Sequence, residues 1–219
     1  MRARKKKNTI PRLEKNKRYL TRSVELTADR PVYMEIGCGK GKFATGMAQA
    51  YDCMFYALEK VPDVMVMAME KAAEQEIENI RFILADATEL KEICPDNSVD
   101  IIFLNFSDPW PKNKDYKKRL TYRTFLEEYR RILKPDGIIK IKTDNKNLFE
   151  FSLREMKAGG FDLYDLTENL HSSDIENDVM TEYETRFVSL GMPIYHVKAK
   201  LNKQKEKLSG GPEHAAEKC

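Results

Sequence analysis

The chain has 219 residues, 42% of them hydrophobic and 33% charged, enough for one domain with a full core and too few for two without an obvious linker. Its net charge of +3 hides an asymmetry: residues 1–23 carry +9, residues 105–123 carry +4 and residues 198–219 carry +3, which leaves −13 on the rest. No apolar run nears the roughly 20 residues that cross a bilayer, and MRARKKKNTIPR lacks the apolar segment of an export signal, so the expectation is a cytoplasmic protein with no membrane partner.

Residues 1 to about 30 read as flexible or weakly helical, after which apolar runs alternate with helical spacing. PVYMEIG (31–37) is predicted as a buried strand and GKFATGMAQAY (41–51) as a helix. MFYALE (54–59) is a second strand, and VPDVMVMAMEKAAEQE (61–76) a helix with Pro62 in its first turn. RFILA (81–85) and VDIIFLNF (99–106) follow as strands, the latter apolar enough to be covered on both faces. TYRTFLEEYRRILKPDG (121–137) reads as a helix stopped by Pro135 and Gly137, IIKIKT (138–143) as a strand, and LFEFSLREMKAGG (148–160) as a helix. FDLYDLTENL (161–170) and RFVSLGMPIYHVKAK (186–200) read as two late strands. The alternation predicts an α/β fold, a doubly wound, mostly parallel sheet of seven strands with a late antiparallel strand.

In such sheets ligands bind beyond the carboxyl ends of the strands. The first of those ends carries E-I-G-C-G-K-G, where Gly37, Gly39 and Gly41 let the backbone come close to a ligand. The G-x-G-x-G spacing, and Glu35 ahead of it, disfavour a pyrophosphate, and Gly41-Lys42 is followed by Phe43 where a nucleotide-triphosphate loop needs Ser or Thr. Glu59 closes the second strand, where an acid accepts from ribose hydroxyls, and Asp86 closes the third, placed for an adenine amino group. The set suits a nucleoside cofactor without phosphate and with a cationic centre, S-adenosylmethionine. Read singly, Glu59 and Asp86 are helix caps. Cys38, Cys53, Cys94 and Cys219 lack paired ligand spacing, so reduced thiols and no metal are expected.

The fourth strand delivers N-F-S-D-P-W-P-K, with Asn105, Asp108 and Lys112 at the same edge. Pro109 and Pro111 stiffen the turn, and Trp110 reads better as a packing anchor than as a base-stacking ring. Lys112, Lys114, Lys117, Lys118, Arg119 and Arg123 then form a cationic approach suited to a nucleic acid.

On EIGCGKG (35–41), Glu59, Asp86, NFSDPWPK (105–112), KKRLTY (117–122), KTDN (142–145) and MTEYE (180–184), the chain resembles the bacterial tRNA (guanine-N7-)-methyltransferase family along nearly its whole length. The resemblance implies a class I, Rossmann-like methyltransferase fold and methylation of guanine 46 in the tRNA variable loop, with S-adenosylhomocysteine as the spent cofactor. It also implies that Glu35, Glu59, Asp86 and Asp108 touch the cofactor region and that Asp108 is the catalytic acid. Lys112, Asp144, Thr181, Glu182, Tyr183 and Glu184 would meet tRNA. One departure stands out: similar sequences commonly carry His where this chain has Asp115.

Without the resemblance, Thr181 reads only as a helix cap and Asp144 as another. Two rivals remain, a methyltransferase for an exocyclic base amine and a non-catalytic RNA-binding module. The expected organisation is a basic extension over 1–30, a methyltransferase domain over 31–201 and a flexible tail over 202–219, in a monomer or a homodimer.

Overall fold

The computed structural model describes residues 8–26 and 29–202. The basic cluster at 1–7 and the tail from 203 onward, with the expectations attached to them, lie outside those residues. The strands are β1 (Leu20–Thr21), β2 (Val32–Ile36), β3 (Met54–Glu59), β4 (Ile80–Leu84), β5 (Val99–Asn105), β6 (Leu133–Thr143), β7 (Phe161–Thr167) and β8 (Tyr195–Leu201). They form one sheet in the order β1-β4-β3-β2-β5-β6-β8-β7. Only β8 runs against its neighbours β6 and β7. Seven of these strands are the expected ones, and the eighth, β1, adds two residues to the edge beside β4.

The helices are α1 (Thr9–Lys15), α2 (Lys42–Ala50), α3 (Pro62–Glu74), α4 (Leu90–Ile93), α5 (Arg123–Ile132), α6 (Lys146–Ala158) and α7 (Glu182–Ser189). Alternation along β3 sends Phe55 and Ala57 to one face and Tyr56 and Leu58 to the other. The first pair packs with Phe43 and Met47 of α2 and Met65 and Met69 of α3. The second packs with Phe125, Leu126 and Tyr129 of α5 and Phe149 and Met156 of α6. On β5, Ile102, Phe103 and Leu104 are all buried, as a strand covered on both faces requires.

Three expectations are corrected. The leader is not uniformly loose, because α1 is tied to α3 by hydrogen bonds from Arg12 to Glu70 and from Thr9 to Asp63, and residues 20–21 pair with β4. The α5 helix ends at Ile132, ahead of Pro135, because Leu133 is already paired with Val99. Pro135 and Gly137 then fall where pairing jumps from Leu133 to Ile138, an irregularity that tolerates a residue without an N–H. Residues 186–189 are the end of α7, not a strand, because Thr181 and Glu184 form a reciprocal capping box that starts a helix there.

β2 lies between β3 and β5, so the chain leaves the carboxyl ends of β2 and β5 in opposite directions. A crevice opens at this reversal, and the 37–41 and 105–112 loops form its walls.

Candidate active site

Gly37, Gly39 and Gly41 have φ of +85°, +56° and +77°, a region that side chains rarely adopt. A Cβ on Gly37 or Gly39 would meet nothing within 4 Å, whereas one on Gly41 would lie 2.5 Å from the Cβ of Ala68. The first two glycines therefore line open space, and the third permits the close approach of the loop to α3. The Gly37 and Cys38 amides donate to the Leu58 carbonyl at 2.8 and 3.0 Å, fixing the loop to β3.

A cleft of about 750 Å³ lies beside this loop, lined by Gly37, Glu59, Asp86, Asn105, Asp108 and Trp110 among others. A second hollow of about 530 Å³ adjoins it, with Glu35, Gly39, Lys42, Thr181, Glu182 and Tyr183 in its wall. Gly37, Asn105 and Phe106 belong to both, so the two spaces meet at the ends of β2 and β5.

Glu35 is 2% exposed. Its Oε1 accepts from Asn105 Nδ2 at 2.9 Å, while its Oε2 and the Asn105 Oδ1 have no hydrogen-bond partner among the described residues. Burial pushes the Glu35 carboxyl up to about 8, against the pull of the Asn105 hydrogen bond and the Lys142 charge. Two adjacent buried acceptors left unpaired are costly unless a multiple donor joins them. An alkylammonium is such a donor, so the residues present fit the amino-acid end of S-adenosylmethionine.

Glu59, which lines the cleft, accepts from the Gly39 amide at 3.1 Å and the Val61 amide at 2.9 Å, and each carboxylate oxygen can accept a further hydrogen bond. It does not cap α3, whose first flanking residue is Val61. Asp86 is a cap: its side chain accepts from the Thr88 amide and hydroxyl, and Glu89 returns a bond to its backbone. Those hydrogen bonds, together with the charge of Lys60, hold its carboxyl below the usual range against the opposing effect of burial. The capping and cofactor readings thus coexist, since Asp86 also lines the cleft.

Asp108 stands exposed on the lip of the cleft with no ion-pair or hydrogen-bond partner among the described residues. Phe106 and Trp110, on either side of it, have φ of +51° and +42°. Trp110 lines the cleft with Lys118 Nζ 4.7 Å from its ring centre. The cationic run does not all face outward. Arg119 Nε and Nη2 donate to the Pro109 and Trp110 carbonyls at 2.9 and 3.2 Å, and its guanidinium sits 4.4 Å from the Phe151 ring centre. Lys118 pairs with Asp115 at 2.7 Å and Arg123 with Glu155 at 3.3 Å. Lys112, Lys114 and Lys117 are exposed.

The expected tRNA-side residues separate into three groups. Thr181, Glu182 and Tyr183 reach the second hollow, where Tyr183 is 47% exposed and contacts Phe106 and Phe187 at ring-centre distances of 5.2 and 4.4 Å. Lys112 and Asp144 lie near the same edge but outside the lining of either space, and Asn145, not Asp144, caps α6. Glu184 is 0% exposed and is not available for direct contact. Its carboxylate takes Lys142 Nζ at 3.1 Å, His171 Nε2 at 2.9 Å and Asn177 Nδ2 at 3.0 Å. This buried hub was illegible in sequence, where Lys142 looked like one more strand residue. Burial lowers the Lys142 ammonium from its ordinary value, and Glu184 opposes that shift.

Fold and site together give a doubly wound sheet with an acid-lined cleft at its reversal point. A methyltransferase family model, Methyltransf_4, matches residues 29–197. The chain is 48% identical to the tRNA (guanine-N(7)-)-methyltransferase of Geobacillus thermodenitrificans over 78% of its length and 80% of that protein. It is 40% identical to the enzyme of that name from Streptococcus mutans, over 92% of this chain and all of the relative. Among solved structures, a SAM dependent methyltransferase from Aquifex aeolicus aligns with a TM-score of 0.54 at 15% identity, covering 86% of this chain and 88% of that one, a likeness of fold. The chain belongs to the tRNA (guanine-N(7)-)-methyltransferase family.

Proposed function

We propose that this chain transfers the methyl group of S-adenosylmethionine to N7 of a guanine in tRNA, at position 46 of the variable loop. The observation that carries the reading is the unpartnered Asp108 carboxylate on the lip of a cleft that meets, at Asn105, the adjoining hollow lined by Glu35, where one acceptor of each of these two residues is left unpaired.

Bound S-adenosylmethionine supplies a methyl group on a sulfonium centre. Glu35 and Asn105 would hold the ammonium of its amino-acid end, Glu59 its ribose and Asp86 its adenine. Guanine N7 is a bare acceptor on the major-groove edge. It loses no proton on methylation, so the site needs alignment more than a strong base, and alignment alone is worth ~7–11 kcal/mol. Asp108 orients the purine and stabilises the positive charge that develops on it. Lys112, Lys114 and Lys117 face outward, where they can neutralise phosphates. Thr181, Glu182 and Tyr183 form the wall on which the base rests.

Replacing Asp108 with Asn tests the assignment. Turnover should fall by about 100-fold or more, the scale of losing one electrostatic stabiliser, while S-adenosylhomocysteine binding measured by calorimetry stays at the parental level. Near-parental methylation by that variant would remove Asp108 from the chemistry.

A further inference from the structure

We infer that Arg119 is a positioning residue, one that clamps the Pro109 and Trp110 carbonyls and so sets the aim of Asp108, and that it is not one of the loop's RNA-facing cations. The inference rests on the reading of Asp108 given above.

The turn cannot hold its own shape. Pro109 and Pro111 have no N–H, and among the described residues no backbone–backbone hydrogen bond of the turn starts or ends at residues 107–111. Phe106 and Trp110 both carry positive φ, a conformation that persists only where the surroundings over-determine it. Arg119 supplies that restraint. Its two donors, fixed relative to each other by the planar guanidinium, reach two successive carbonyls on the far side of Asp108, and its flat face rests on Phe151 of α6. The turn is thereby tied to a helix buried against the sheet.

The environment of Arg119 also differs from that of a phosphate contact. It is half-buried and has no carboxylate partner among the described residues, with the like charge of Arg154 close by. Its neighbours in the run, Lys117 and Lys118, are exposed. A cation kept in such a place, without a counter-charge, is explained by the carbonyls that it holds.

Arg119→Lys separates the two roles, because lysine keeps the charge but cannot serve both carbonyls while lying flat on the ring. Trp110 is the only tryptophan of the chain, so intrinsic fluorescence reads the turn directly. The expected result is a kcat lower by about 100-fold, the cost of roughly 1 Å of misplacement, with stronger acrylamide quenching of Trp110. The Michaelis constant for tRNA, its salt dependence and the affinity for S-adenosylhomocysteine should remain parental. Arg119→Gln should show the same split.

A variant with raised tRNA Michaelis constant, shallower salt slope and unchanged Trp110 quenching would make Arg119 an RNA contact and overturn the inference. So would a lowered melting temperature with kcat intact. If instead Asp108→Asn keeps its turnover, the catalytic reading fails on its own, since the Trp110 measurement does not depend on it.

Discussion

Glu35 illustrates how a residue's position sets its chemistry. On a surface it would be an ordinary carboxylate, but at the end of a central strand it is held toward about 8 by burial. Lys142 on β6 and Asn105 on β5 favour its charge, and Glu59 on β3 and Glu182 on α7 oppose it. In the unfolded chain Glu35 ionises in the usual carboxyl range, so between that range and about pH 8 the folded state binds more protons and stability falls as pH rises. Glu35→Gln, which mimics the protonated form, should therefore melt above the parent at pH 8, by about 2–4 °C for each kcal/mol relieved. The gap should close toward pH 4.5. Facing an ammonium requires the ionised form, so the affinity for S-adenosylhomocysteine should rise from pH 6 to about 8 in calorimetric titrations. A flat profile would mean that Glu35 does not meet that group.

At the scale of elements, the segment from β7 to β8 is held over the sheet by buried charge. Lys140 pairs with Asp178 at 2.9 Å and Lys142 with Glu184 at 3.1 Å. Breaking a buried pair from one side typically costs about 3–5 kcal/mol. Glu184→Gln should lose stability on that scale in urea denaturation, with faster hydrogen exchange confined to residues 170–190. A change in the tRNA Michaelis constant at parental stability would instead make Glu184 a direct contact. Helices and strands with a regular apolar period were legible in the sequence, as was the acid-ended row from Glu35 to Asp108, because strand ends in a doubly wound sheet all open on one edge. What escaped were features decided by tertiary contact. The polar leader gains order through tertiary contacts, among them Arg12 on Glu70, the pairing of β1 with β4 and Tyr19 in the core. Glu184 was expected to meet tRNA but is buried, and Arg119 looked like one more cation in a basic run.

Over the whole molecule, charge separates from chemistry. Residues 1–7 hold five Lys and Arg, while α1 behind them is docked on α3 through Arg12. Deletion of residues 1–7 removes cations without removing that docked helix. It should weaken tRNA binding and make the plot of log K against log salt shallower by roughly 0.7–0.9 for each phosphate that is no longer neutralised. Cofactor affinity should not move. An unchanged slope would show that these cations do not touch the RNA.

Methyl transfer to a ring nitrogen of guanine is the chemistry on which the other roles depend. Incubation of the purified chain with unmodified tRNA and S-adenosylmethionine, followed by nucleoside mass spectrometry and alkaline cleavage mapping, tests it most directly. The expected products are N7-methylguanosine and a single alkali-labile break in the variable loop. A methyl group on an exocyclic amine, or no transfer at all, would contradict that chemistry.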